Sequence, residues 1–420
     1  MAVSFMQKRS RAALVVAGAM AFTAAPALSG AMAQAATGAR FSYTGYAFGT
    51  SANVGSVTKS GPSAPVTLGC TATAGIHRSN TTAGLDLAPL ATSGTVASTA
   101  DTLAAPAQSK TTAATQQVSL LGGRVKATAV KAASSTTRTA NGFALSPAGT
   151  TFTNLVVGGR LVSANPAPNT RIDIAGFGHV ILNEQTRRVG TDAASLTVNG
   201  LHLVVTTTNS LGIPLNSNVI VSHAQSGLSA PVAGVLDGMA YGTRANVAQR
   251  VVSGPTFRVV MPCLGTNGNL RTNTGAGLSL GTTLNTGTIR NTAQGTVTGS
   301  TATGETTSTV QAANVLAGLV NATVIKADAH ATTDGSTFRF SDNGSTFGSL
   351  AVKDHPEITA NVAPNTQVNL TGVGTLYLHR VIRSNRNIEV RMIELVLNQP
   401  VNGLVAGTTI RVGVAEASAH

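Results

Sequence analysis

The chain repeats itself. Gly45-Tyr-Ala-Phe-Gly-Thr50 returns as Gly238-Met-Ala-Tyr-Gly-Thr243, 193 residues later, and Cys70 returns as Cys263 at the same displacement. Gly84 maps to Gly277, and Gly94-Thr95 to Gly287-Thr288. Further on the displacement drifts to 195 (Gly123 and Gly318, Gly149 and Gly344) and then to 196 (Ala167-Pro-Asn-Thr170 and Ala363-Pro-Asn-Thr366), as loop insertions would cause. Long-period self-similarity predicts one domain duplicated in tandem. The copies are expected at 38–227 and 237–420, with 228–236 as linker.

Within each copy the residues favour strands. Gly, Ala, Thr, Val and Ser dominate and Trp is absent. The run Arg124–Ala132 alternates as a half-buried strand does. Arg171–Ile174, a turn at Gly176–Gly178 and His179–Leu182 form a hairpin pattern whose turn needs positive φ. Leu196–Val205 and Asn218–Ser222 are closing strands, answered by Ile388–Leu397 and Thr408–Val414. The expected fold is all-β: two tandem homologous β-sandwich-like domains. The Thr-rich stretches 94–120 and 287–312 leave β-solenoid elements or irregular edge strands as the alternative.

The N-terminus sets the compartment. Lys8, Arg9 and Arg11 precede an apolar, Ala-rich stretch, and small residues at Ala31-Met-Ala33 and Ala33-Gln-Ala35 stand at cleavage spacing. This reads as a signal peptide over 1–35 and predicts export. No later apolar run is long enough for a transmembrane helix, and no lipobox Cys or C-terminal sorting motif is expected from the sequence. The expected location is secreted or extracellular, with non-covalent attachment to the cell surface. Of the formal charge of +13, the three bases of the signal account for three, leaving +10, and only 10% of residues are charged. A sparse positive surface predicts salt-dependent adhesion to anionic cell-wall or surface polymers. Dense Lys/Arg clusters with interleaved aromatics are missing, so nucleic acid is not an expected partner.

Duplication offers an internal comparison of chemistry. What recurs is Gly, Asn-Thr turns, branched apolar residues and Cys, all fold-determining types. Titratable groups mostly do not recur: Glu184 faces Arg380, His179 faces Thr375 and His202 faces Glu394. Gly277-Leu-Ser279-Leu-Gly281 matches the nucleophile-elbow pattern, but no helical segment follows and the other copy has Asp86 at the Ser position. The His residues show no metal-ligand spacing, and Asp334-Gly335 and Asp342-Asn-Gly344 read as tight turns. No catalytic residue, metal or cofactor is therefore assigned. A hydrolase site confined to the second copy, around His355, Glu357 and Glu394, is the enzymatic alternative. An exported protein with one Cys at matching places in each copy makes Cys70–Cys263 a disulfide candidate across a pseudo-twofold axis, with two buried free thiols or intermolecular pairing as the alternatives. Arg187 and Arg383 recur, as do Lys131 and Lys326, and these four are the anion-binding candidates; solvated strand-edge charge is the other reading.

The segments Leu68-Gly-Cys70-Thr-Ala-Thr-Ala-Gly75, Ser119–Val125 and Pro168–Asn183 resemble bacterial secreted proteins of the choice-of-anchor P family. The resemblance covers nearly all of the first copy and, more loosely, the second. It implies an exported, envelope-associated domain and supplies no catalytic residues. The expected function is thus a non-enzymatic structural, adhesive or envelope-associated role, with anionic-polymer binding and hydrolysis as alternatives.

Overall fold

The computed structural model describes residues 41–55, 57–230, 234–247, 250–253 and 255–419. The signal-peptide expectation falls on 1–35, outside the described residues. No helix occurs among those described; the chain is all-β, in antiparallel sheets.

Residues 42–229 form two of the sheets. In sheet I the strands lie in the order Thr170–Ile174, Gly178–Val189, Ala193–Val205, Asn218–Ser229, Ser42–Val54, with Val57–Ser60 and Val66–Thr71 both pairing the last. The first strand of this half therefore closes against its last strand, Ser42 opposite Ser229. Sheet II is built around the antiparallel run His77–Thr82, Val96–Ala104, Ala107–Leu120, Val125–Thr139, with short strands on its margins. Residues 236–419 repeat this order. Sheet III runs Thr366–Leu370, Gly374–Arg383, Asn387–Leu397, Thr409–Ala419, Leu236–Val247, and sheet IV runs Arg271–Gly275, Ile289–Thr298, Thr301–Val315, Val320–Thr333.

Alternation places one face of each sheet inward. Val180, Leu182, Leu201, Leu203, Val219 and Val221 of sheet I meet Val118, Leu120, Val125, Val130 and Phe152 of sheet II in one buried cluster. A separate cluster joins Leu376, Leu378, Leu395, Ile410 and Val412 of sheet III to Ile289, Val310, Ile325 and Phe347 of sheet IV. Each half thus has its own face-to-face sandwich core.

The Thr-rich stretches are neither solenoid coils nor irregular edges; they form central strands of sheets II and IV. Their hydroxyls explain how polar residues sit at a sandwich interface. Ser109 Oγ donates to Thr44 O at 2.6 Å, Thr115 Oγ1 to Gly49 O at 3.2 Å and Ser134 Oγ to Leu196 O at 2.8 Å, each from sheet II to sheet I. Thr306 Oγ1 and Ser308 Oγ do the same for Glu416 O and Tyr241 O in the second half, both at 2.9 Å. A buried hydroxyl with a carbonyl partner avoids the desolvation penalty of an orphan polar group.

The recurring Gly-Thr of the opening motif has the same task in both halves. A Cβ on Gly49 would lie 1.8 Å from Val96 Cγ1, and one on Gly242 would lie 2.4 Å from Ile289 Cγ2. Beside them, Thr50 N and Thr243 N donate to Ser63 Oγ and Thr256 Oγ1 at 2.7 and 2.9 Å. The expected linker begins later than its composition suggested: Leu228 and Ser229 complete the closing strand, Leu228 buried at 2% exposure.

Gly49→Ala and Gly242→Ala are each expected to destabilise their own half by about 1–3 kcal/mol through overpacking. Gly176→Ala, at a turn glycine with open space around it, should show only the positive-φ penalty, about 1 kcal/mol. Urea denaturation of the three variants tests the ranking.

Candidate functional site

The two halves are joined covalently. Cys70, in Val66–Thr71 of the first half, is bonded to Cys263 of the second, with Cα atoms 5.3 Å apart. Around this bond lies a cleft of about 620 Å³ that both halves line.

Three arginines face the cleft: Arg188 at the end of Gly178–Val189, Arg258 ahead of Val259–Val260, and Arg271 at the start of Arg271–Gly275. Arg258 is half-buried, with its guanidinium 4.0 Å over the Tyr46 ring of the other half. Arg188 and Arg271 are exposed at the mouth. Partial burial lowers the Arg271 pKa and the Arg188 charge adds to the effect, yet a guanidinium remains protonated at physiological pH. Neither has a carboxylate in ion-pair range among the described residues.

The carboxylate lining the cleft is Asp237. It accepts from Gly238 N at 2.8 Å and packs on Gly69 of the other half, where a Cβ would lie 1.9 Å from Asp237 Oδ2. Glu416 lies nearby. Burial raises its pKa first, the carboxylates of Glu389 and Asp237 raise it further, and Asn387 Nδ2 donates to it at 2.7 Å. Arginine therefore outweighs acid around the cleft, which suits phosphate or carboxylate groups through bidentate donors.

Behind Tyr46, the His223 ring stacks on Phe48 with centroids 4.5 Å apart. Its Nδ1 is 2.7 Å from Asn199 Oδ1. Burial, and secondarily the Arg258 charge, push His223 down to about 3, so it is neutral at physiological pH.

The four anion-binding candidates from the sequence lie elsewhere. Arg187 donates to Gln185 Oε1 at 2.9 Å and to Leu145 O at 3.4 Å, both on the first half. Arg383 pairs with Asp342 Oδ1 at 2.8 Å and Lys326 with Asp328 Oδ2 at 2.7 Å. Lys131 is exposed on Val125–Thr139. The two repeated pairs do not line the cleft, and one member of each is already neutralised. Arg258 and Arg271 gave little sequence signal. Arg271 stands 193 residues after Arg78, and both occupy the same register position, opposite Ala293 and Ala100 respectively. In the first half Arg78 turns to Thr67 O at 2.7 Å instead.

The catalytic-looking groups are held structurally. Gly277 has backbone against it, since a Cβ would sit 2.3 Å from Thr286 O, and Gly84 has the same relation to Ser93 O at 1.8 Å. Ser279 belongs to a short hairpin strand, not a strand-to-helix elbow. Glu394, 2% exposed, is surrounded by Arg380, Arg391 and Arg411, the last two at 2.8 Å. His355 Nδ1 pairs with Glu357 Oε1 at 2.9 Å in a loop. At the positions equivalent to Arg380 and Glu394, the first half places Glu184 and His202, whose Oε2 and Nδ1 lie 3.0 Å apart. The cross-strand pair is kept with the acid on the other strand.

No family model matches the chain, and no curated protein matches it significantly in sequence. No helix among the described residues is long and apolar enough to cross a membrane.

Two outcomes are expected. Because His223 is held neutral while the unfolded chain binds its proton near pH 6.5, its contribution to stability is present above that pH and is lost as pH falls toward about 3. The stability difference between wild type and His223→Gln should therefore change by up to ~1.4 kcal/mol per pH unit in that window, read by urea denaturation. Replacing both cysteines by Ser opens a loop with ends 193 residues apart. On loop-closure entropy this costs up to about 5 kcal/mol, and calorimetry should show a lower Tm with the halves melting more independently.

Proposed function

We propose that this is an exported, non-enzymatic envelope protein whose two halves together hold an anionic polymer in the arginine cleft. The observation that carries the reading is the convergence of Arg188, Arg258 and Arg271, from both halves, on one cleft with Asp237 as its lining carboxylate. The shared strand order of the halves supports descent from one duplicated domain, and the exchanged Glu184–His202 and Arg380–Glu394 pairs support a scaffold in which titratable groups serve architecture. A cross-half disulfide suits an oxidising compartment outside the cytoplasm. The resemblance to choice-of-anchor P proteins agrees with envelope association.

Binding of this kind is electrostatic, so it weakens with salt. The experiment is titration of the protein with a polyphosphate and with a polyuronate at low and high salt. Arg188→Ala with Arg271→Ala, both exposed positions, should weaken binding at least about tenfold and flatten its salt dependence, since each charge-assisted contact contributes about 1.5–3 kcal/mol. Arg187→Ala with Arg383→Ala should have the smaller effect. Equal loss in the two double variants, or none in either, counts against the cleft.

A further inference from the structure

The second half carries a cluster that neither the repeat nor the cleft explains. Glu305, on Thr301–Val315, stands directly opposite His330, on Val320–Thr333, and Asp328 precedes His330 by two residues on the same face of that strand. Ala327, Ala329 and Ala331 point into the sandwich at 0% exposure, so this face is the outer one. Asp328 is nevertheless buried, its side chain 3% exposed. The turn containing Gly344 lies over it, where a Cβ would approach Asp328 Oδ2 to 2.5 Å, and Ser345 Oγ accepts from Asp328 N at 3.0 Å.

The two oxygens of Asp328 have different surroundings. Oδ2 accepts from Lys326 Nζ at 2.7 Å. Oδ1 is buried and makes an ion-pair contact with His330 Nε2 at 2.9 Å, outside ideal hydrogen-bond alignment. That nitrogen is also 3.8 Å from Glu305 Oε1, and the ligand atoms of the three residues all lie within 4.8 Å of one another. A buried carboxylate oxygen held by an ill-aligned contact is costly, and here it faces an imidazole nitrogen with a second carboxylate beyond it.

We propose that Glu305, Asp328 and His330 form a binding site for one divalent transition-metal ion of the zinc class. Metal–ligand bonds of about 2.0–2.2 Å put neighbouring ligands about 3–3.5 Å apart; the 2.9 Å and 3.8 Å separations lie on either side of that spacing, so small side-chain adjustments at His330 and Glu305 reach it. One imidazole and two carboxylates favour zinc and its neighbours over calcium, which takes a larger all-oxygen set. Lys326 then orients the ligating carboxylate from outside the coordination sphere, as hydrogen-bonded partners of metal carboxylates do. Glu305 and His330 are over a third exposed, which leaves room for water as a further ligand. The site belongs to the second half alone: its counterparts by strand register are Lys110, Ala133 and Ser135.

The test is calorimetric titration of tag-free, chelator-treated full-length protein with zinc, alongside the visible absorption of the cobalt-substituted protein. One equivalent should bind, with a d–d spectrum of low-symmetry cobalt. His330→Gln and Glu305→Gln, both at partly exposed positions, should each weaken binding at least tenfold without changing the circular dichroism spectrum. Asp328→Asn should abolish it, and the two exposed-site variants keep the test decisive if that protein misfolds. Binding that is equal in wild type and variants, or cobalt absorption no different from the aquo ion, overturns the proposal.

Discussion

Close approach of two sheets is the constraint from which most of this structure follows. At Gly49 and Gly242 the backbone of one sheet comes so near a branched side chain of the other that no Cβ fits. Bulky cores keep sheets about 10 Å apart through interdigitating side chains. Here small residues let hydroxyls reach across: Ser109, Ser134 and Ser222 in the first half, and Thr306 and Ser308 in the second, bond directly to carbonyls of the facing strand. A chain with few large aromatics gains directional contacts at its core, and each replaces a bond to water with one of similar strength. The abundance of Thr and Ser, which could suggest a loosely ordered surface, reflects this interior.

Charges occupy what is left. On the outer faces, acids and bases neutralise one another in short cross-strand sets, of which Glu394 with its three arginines is the most buried. Its carboxyl is opposed by burial and held below the usual carboxylate range by Arg411, Arg391 and Arg380. Against this background of paired groups, two places stand out: the cleft, where arginines outnumber acids, and Asp328, a buried carboxylate grouped with His330 and the second carboxylate of Glu305. The first joins the halves, while the second lies within one of them. Neither recurs in the other half, where Thr44 and Pro65 stand at the positions of Asp237 and Arg258, and Ala133 at that of Asp328.

Much of the fold was legible because glycine and turn residues mark backbone geometry locally. Gly176-Phe-Gly178 and Gly372-Val-Gly374 announce their hairpins, with φ of 73° and 71° at the first glycines. Thr-rich strands were harder to place, because a hydroxyl side chain suits solvent and a carbonyl-facing interior equally well. The site was least legible. Arg187 and Arg383 stood out by recurrence, but recurrence selects what both halves need, and a cleft between unlike surfaces is built from what differs. Arg258 and Arg188 have no basic counterpart, and Arg271 shares its position with Arg78 yet meets different neighbours.

The sequence alone determined the β class, the twofold division and the turn glycines, because these depend on local conformation and on alternation along one strand; that the Thr-rich strands lie inside, with hydroxyls on facing carbonyls, took the packing of two sheets. Only the tertiary structure decided which charged groups meet. The Cys70–Cys263 bond, by contrast, was foreshadowed by the matching places of the two cysteines. Arg258 and Tyr46, and Glu305 and Asp328, come together through strand pairing and packing between distant segments, and an electrostatic partner is a matter of distance in space, which no spacing along the chain encodes.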